Sequence, residues 1–414
     1  MRMNRTSLAL ITVLGFLTLI AVLPAPAQQP AAPPSAQQPA APQPPPVWQQ
    51  GRSPEQASSP LAPIPLPPAP TPADQIAIDK VKLPAGFKIS VWADGIHNAR
   101  EMAWGDRGTL FVGSRAPGNL YAVVDRGGKR EVKVIAKGLT QPSGVAFRDG
   151  ALYVAEIPRL LKYENIEANL DNPPAPKVLY EYPKEAHHNW RYLAFGPDDK
   201  LYFNMGAPCN ICLPPATHAN ISRVNLDGTG FEYYARGVRN SVGFDWHPVT
   251  KELYFTNHGR DWMSDDTPND TLHHAPRVGL HFGFPYCHQG DIVDPDFGKG
   301  QSCSEFAPPL LKLGPHVASM GIRFYTGGMF PAEYKNRAFI ALKGSWNRTE
   351  KSGYKVMTVD IKPGMPPKYE TFADGFVQGT KVGGRPTYIQ WMPDGSMLLS
   401  DDYNGAIYRI SYQR

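Results

Sequence analysis

The chain has 414 residues, with 42 lysines and arginines against 37 aspartates and glutamates, a formal net charge of +5, and four cysteines. So small a basic excess, with no basic run and no aromatic–basic stripe, argues against a nucleic-acid partner. The length allows two or three domains, or one large all-β domain.

Residues 1–27 have the plan of a signal peptide. Arg2 and Arg5 form a positive start, Leu8 to Leu23 an apolar centre, and Ala25-Pro26-Ala27 a small-residue cleavage site. The alternative, an uncleaved anchor, has an apolar stretch short for a membrane span. The mature chain is therefore expected to be periplasmic or secreted, in an oxidising compartment, with no stable membrane span. Residues 28–75 are rich in Pro, Ala and Gln. Such a composition cannot bury a core, and the segment is expected to be a disordered, extended tether.

From residue 76 to 414 the character changes. Phe87 to Trp92 reads as a strand, and then one pattern recurs: an apolar strand, a tight turn, a second strand opening on Leu or Phe. It is seen at 102–112, 145–154, 193–203, 244–255 and 389–399, with a weaker copy at 325–341. The clearest copy follows His187-His188-Asn189-Trp190-Arg191, with Gly196-Pro197-Asp198-Asp199 as the turn. Equivalent residues are Leu110, Leu152, Leu201, Leu253, Phe339 and Leu398, spaced by 42, 49, 52, 86 and 59. A period of this size with strand content and no helical periodicity predicts a β-propeller, here of six blades. The wide gap implies a long insertion across 257–320. The alternative is a two-sheet sandwich with coincidental spacing.

Cys209 and Cys212 form a C-x-x-C pair, and Cys287 and Cys303 flank a loop. In an exported chain four cysteines suggest two disulfides. Three connectivities are possible, and pairing neighbours is the simplest. The C-x-x-C alternatives, a zinc half-site or a redox motif, lack a second such pair and a βαβ setting.

The chain resembles the soluble pyrroloquinoline quinone-dependent sugar dehydrogenases, in particular the branch named for sorbosone dehydrogenase. The resemblance rests on His188 with Phe195-Gly196-Pro197-Asp198, on Gly206-Ala207-Pro208-Cys209-Asn210-Ile211-Cys212, and on Arg239-Asn240-Ser241-Val242-Gly243. It also rests on Asn257-His258-Gly259-Arg260-Asp261, Gly344-Ser345-Trp346-Asn347-Arg348 and Gly384-Arg385-Pro386. It covers residues 80–412 and implies a six-bladed propeller, in agreement with the repeat count.

The resemblance also implies roles. His188 would be the catalytic base, since imidazole can accept the hydroxyl proton as hydride leaves a carbinol carbon; His187 is the neighbouring alternative. Arg239, with Asn240 beside it, would face the quinone, where a permanent cation stabilises charge developing as hydride arrives. Gln141, Lys343, Arg348 and Arg385, at blade entries, would complete the cofactor site. Ca²⁺ would rest on backbone oxygens at Gly259 and Arg260, near Asp261 and the following Asp265, Asp266 and Asp270. His273, His274, His281 and His288 match no helix-borne metal motif. The expected activity is oxidation of a sugar or sugar aldehyde, with electrons passed to an external cytochrome or quinone. Two rivals are a metal-dependent lactonase-type hydrolase, which the arginines disfavour, and a non-catalytic binding propeller.

Overall fold

A computed structural model describes residues 46–413 except Ala186. The expected signal peptide and residues 28–45 of the expected tether lie outside the described residues.

Six sheets, each built on four antiparallel strands, form the six blades of a β-propeller. Blade 1 spans Ala99–Ala136, blade 2 Gly144–Glu181 and blade 3 Leu193–Arg236. Blade 4 spans Phe244–Pro315 and blade 5 Ser319–Ala373. Blade 6 combines Pro386–Trp391, Met397–Asp401 and Ala406–Tyr412 with the N-terminal strand Phe87–Ala93 as its outermost member. The ring is thereby closed by pairing of the two ends of the domain, from Phe87 opposite Tyr412 to Val91 opposite Tyr408. Closure holds the six sheets in a ring, each keeping only short edges at the channel and at the rim.

The repeat is explained by burial. The second strand of each blade lies between its neighbours and is buried along its whole length: Leu110–Ser114, Ala151–Ala155, Leu201–Met205, Leu253–Asn257, Ala338–Leu342 and Met397–Asp401. Apolar residues are therefore needed on both faces there, whereas outer strands such as Lys177–Glu181 stay largely open to water. All six residues taken as equivalent fall at the first or second position of these strands. The turn at Gly196 closes as expected, with Gly196 N donating to Lys200 O at 2.8 Å.

The long insertion lies between the third and fourth strands of blade 4 and carries a short ribbon, Cys287–His288 with Ile292–Val293. Its Leu280–His281 segment adds in parallel to the outer strand of blade 3. Both disulfides join neighbours, Cys209 with Cys212 and Cys287 with Cys303. Among the described residues no helix is long and apolar enough to cross a membrane.

The expectation of a free tether needs correction for residues 46–75. They lack strands, but they are laid against the propeller through specific hydrogen bonds. Trp262 Nε1 donates to Trp48 O at 2.6 Å, and Thr71 N donates to Asn404 O at 2.8 Å. Composition misled here because a proline-rich chain with no core of its own can still borrow one.

Phe87 anchors the closing strand. It meets Phe330, Phe372 and Tyr412 with ring centroids 4.8–5.0 Å apart. Phe87→Ala is expected to destabilise the domain by about 3–5 kcal/mol, measured by chemical unfolding followed through tryptophan fluorescence.

Candidate active site

In each blade the inner strand starts, and the second strand ends, at the same mouth of the channel. Chain entering the inner strand is turned inward there by residues in the left-handed region. These are Asn98, Gln141, His188 and Ala318, at φ of 57°, 53°, 53° and 51°. Non-glycine residues rarely adopt this conformation, and it concentrates at functional sites. The turns open on a cavity of about 580 Å³, within the usual range for small-molecule sites.

The blade 3 turn carries His188, which is 5% exposed. Its Nδ1–H donates to Ala207 O at 3.0 Å. That bond fixes the tautomer and leaves Nε2 as the unprotonated nitrogen. Burial, then the charge of Arg239, holds the imidazole pKa well below its ordinary value, so the ring is neutral at working pH. Gly206 makes the turn possible, because a Cβ there would lie 2.3 Å from His188 O. His187 lies against His188 with centroids 3.9 Å apart and the rings tilted by 47°, and burial pushes its pKa down to about 4.

Arg239 enters blade 4 and is held by the disulfide loop. Its Nε donates to Asn210 O at 2.9 Å, and its Nη2 donates to Asn210 Oδ1 at 2.7 Å and Asp261 Oδ2 at 3.0 Å. Asp261 Oδ1 accepts from Asn347 at 2.6 Å. Beside it, His258 Nε2–H donates to Ser319 O at 2.7 Å, so its Nδ1 accepts from Asn240 Nδ2 at 3.0 Å. Asn240 Oδ1 is left buried without a partner.

Across the cavity lies a cluster of cations. Asp402 Oδ1 accepts from Arg385 Nε at 2.7 Å, and its Oδ2 lies 2.9 Å from Arg100 Nη2 and 4.0 Å from Lys343 Nζ. Burial opposes ionisation of Asp402, but Arg385, Arg100 and Lys343 hold its carboxyl well below the carboxylate range. The Arg100 approach lacks hydrogen-bond alignment, so all three guanidinium nitrogens are buried without a hydrogen-bond partner. Arg115 lies over the Trp190 ring at 3.7 Å and donates to Gln141 Oε1 at 3.2 Å. Burial, then Arg100, pulls its pKa down to about 9. Burial likewise drives the Lys343 pKa well below 10.5; Asp402 opposes this, while Arg385, Arg100 and Arg115 add to it.

The cavity thus brings together His188, Arg239, Asn240, Gln141, Lys343, Arg385, Gly259 and Asp261. One expected site residue, Arg348, lies elsewhere, while Arg260 is expected to serve only through its backbone oxygen. Arg348 donates to Asp265 O at 3.0 Å and Asp266 Oδ1 at 2.9 Å on the rim, so its cofactor role is withdrawn. The Arg260 side chain is paired with Asp294 at 2.6 Å and Asp296 at 2.9 Å. Lys343 also follows the second strand of blade 5 rather than opening an inner one. His273, His274, His281 and His288 do not converge: the first two lie on the third strand of blade 4, where His273 stacks on Phe255 at 5.0 Å and His274 pairs with Glu252 at 3.0 Å, while His288, in the insertion, pairs with Asp294 at 2.7 Å. Sequence reasoning missed Arg100, Arg115 and Asp402. An arginine at the start of blade 1's inner strand was the available signal for Arg100.

The fold and this cavity define a six-bladed propeller with a cation-lined cavity at one channel mouth. A family described as TrAA12-like matches residues 289–413. An uncharacterized protein of Borreliella burgdorferi is 34% identical over 350 residues, spanning 81% of this chain and 91% of that one. The chain belongs to the same family as that Borreliella protein. Among solved structures, a calcium structure of the Trichoderma reesei carbohydrate-active enzyme of family AA12 matches with a TM-score of 0.72 at 17% identity, covering 83% of this chain and 100% of that one. The holo pyranose dehydrogenase PQQ domain of Coprinopsis cinerea matches at 0.68 and 18%, covering 84% and 99%. The PQQ-bound aldose sugar dehydrogenase of Streptomyces coelicolor matches at 0.56 and 19%, covering 80% and 100%. At these identities the likeness establishes the propeller fold.

Asp402 is the one carboxylate within 4.0 Å of Arg100, Lys343 and Arg385 among the described residues. Asp402→Asn is expected to cost about 3–5 kcal/mol of stability, measured by chemical unfolding, with citrate recovering part of the loss.

Proposed function

We propose that this protein is an exported quinoprotein dehydrogenase that oxidises a small sugar or sugar aldehyde, with pyrroloquinoline quinone as its cofactor. The observation that carries the reading is a surplus of buried cations: Arg100, Lys343 and Arg385 share the one carboxylate of Asp402, with Arg115 lining the same cavity, and the Arg100 guanidinium makes no aligned hydrogen bond. Buried positive charge in excess of its carboxylates calls for a further anion. A planar tricarboxylate suits several arginines, which bind carboxylates through a rigid fork. Two of the structural neighbours are PQQ-containing sugar dehydrogenases by name, which supports the same reading.

In this scheme Arg100, Arg115, Lys343 and Arg385 hold the cofactor carboxylates, and Arg239 and Asn240 face its reactive edge. When bound, the quinone supplies the two-electron acceptor for a hydride. His188 Nε2, neutral and oriented by Ala207 O, takes the hydroxyl proton of the substrate as the C–H bond breaks. An aldehyde of the sorbosone type enters as its hydrate, which offers the same O–H and C–H pair. Electrons then pass to an external carrier. Ca²⁺ belongs to the proposal through the Gly259 and Arg260 carbonyls, because both Asp261 oxygens are engaged by Asn347 and Arg239. A lactonase ion would need grouped ligands, and among the described residues no three His, Cys, Asp or Glu side chains come together.

The test is reconstitution of the full chain with the quinone, with and without Ca²⁺, followed by dye reduction with aldoses and aldehydes. Absence of both binding and dye reduction overturns the reading. His188→Ala is expected to keep quinone affinity and lower kcat by about 10²–10⁴-fold; retained turnover moves the base elsewhere. Quinone binding has a further signature. The depressed Lys343 pKa must rise when an anion arrives, so between that depressed value and 10.5 binding takes up a proton. Affinity therefore strengthens as pH falls through this window, and Lys343→Met is expected to flatten the dependence. Calorimetry in two buffers of different ionisation enthalpy measures the proton uptake.

A further inference from the structure

The outer wall of the active-site cavity belongs to no blade. It is supplied by the segment 46–67, which contributes Val47, Trp48, Pro63, Ile64, Pro65 and Leu66 to the lining. Two features seat this segment. At its start, Asn210 donates from N and Nδ2 to Gln50 Oε1 at 2.9 Å and Gln50 O at 2.7 Å, and Gln50 Nε2 donates to Ile211 O at 3.2 Å. Asn210 is the residue that also holds Arg239, so the roof and the proposed site share one support. Farther on, His97 Nε2–H donates to Pro67 O at 3.2 Å.

Between these points Arg52 acts as a staple. Its guanidinium lies 4.1 Å over the Trp262 ring and 5.3 Å from the Trp48 ring. It also donates to Ser59 O at 3.2 Å and Leu61 O at 3.0 Å, folding 52–61 back so that 63–66 return to the mouth. The Pro63-Ile64-Pro65-Leu66-Pro67 run suits that place. Proline fixes φ and offers no N–H, so the run needs fewer backbone partners while presenting Ile64 and Leu66.

The chemistry of this roof differs from that of the floor. The floor presents arginines, a lysine and imidazoles, with carboxylates, amides and two indoles among them. The roof presents aliphatic side chains, two prolines and one indole, with no carboxylate, amide or hydroxyl. A substrate hydroxyl pressed against it gives up water with almost nothing to replace the bond. A C–H face, a methyl or an aryl group is accepted there without that loss.

We infer that segment 46–67 determines substrate specificity. It selects a substrate of monosaccharide size whose end remote from the reacting carbon is apolar, such as a deoxy sugar, and it shuts out longer saccharides. The inference rests on the dehydrogenase reading above and deepens it.

The experiment compares three substrates on the quinone-loaded full chain: a hexose, its 6-deoxy counterpart and its β-1,4-linked disaccharide. The deoxy sugar is expected to exceed the hexose in kcat/KM by about tenfold, with the disaccharide poorest. In Ile64→Ser/Leu66→Ser the deoxy preference is expected to fall to near unity. In Arg52→Ala, which removes the staple and its contact with Trp262 while every blade residue stays unchanged, the disaccharide is expected to gain about tenfold relative to the hexose. Quinone titration of each variant verifies folding, and Trp48→Ala serves as a second roof variant should one of them fail to fold. A wild-type preference for the hexose, or ratios unmoved by the variants, overturns the inference. If the wild type binds quinone but reduces no dye with any sugar, the dehydrogenase reading fails instead. The roof is then read by calorimetric affinity of the same three sugars, where equal affinities overturn it and the stated order upholds it.

Discussion

Ring closure is the constraint on which the site depends. The N-terminal strand Phe87–Ala93 completes blade 6 by pairing with Ala406–Tyr412, and this fixes the circumference. Once six blades must close, the starts of their inner strands cannot choose their separation. Side chains from blades that are remote in sequence are then pressed into one mouth. Glu101 shows how the interior adapts to this. Its Oε2 accepts from Val145 N and Leu193 N, both at 3.0 Å, so one blade 1 carboxyl joins the inner strands of blades 2 and 3. Burial raises its pKa well above the ordinary value, despite those two bonds.

The same closure gathers like charges. Arg100, Lys343 and Arg385 come from blades 1, 5 and 6 and share Asp402, with Arg115 nearby. In water these side chains would splay apart; here packing forbids it. The positive potential, only partly relieved by Asp402, suits the mouth to an anion, and together with burial, the larger cause, it depresses Arg115 and Lys343. On the far side Arg239 contributes to keeping His188 neutral. Burial and neighbouring cations thus perturb Arg115, Lys343 and His188 around one cavity, and a gathering of perturbed groups in a cleft marks a candidate functional site.

The roof adds a contrast of chemistry. Blades supply polar and charged groups because their loop ends can be held by backbone hydrogen bonds. The proline-rich segment supplies apolar surface because it has few donors to satisfy. Trp48, Trp262 and Trp346 meet edge to face, with centroids 5.9 Å and 5.5 Å apart for the two pairs, so the segment is joined to loops of blades 4 and 5 by aromatic contact.

Six blades, their order and the position of the long insertion could be read from the sequence because each blade's strand–turn–strand unit is local. The pattern of apolar residues on both faces of the second strand is set by burial and repeats with the unit. Of the three disulfide connectivities that four cysteines allow, the fold adopts the neighbour pairing, closing sequence separations of 3 and 16 residues. Residues at inner-strand entries, His188, Arg239 and Arg385 among them, were legible for the same reason. What the tertiary structure decided is direction and partnership. Arg348 sits one residue from Asn347, yet it turns to Asp265 and Asp266 on the rim. Arg100 and Asp402 lie at opposite ends of the domain's sequence and meet because the ring closes. A proline-rich stretch with no core-forming pattern becomes a wall of the cavity because the blades offer it Asn210, Trp262 and His97. Local pattern encodes which elements form; the long-range packing of a closed ring determines which side chains face one another.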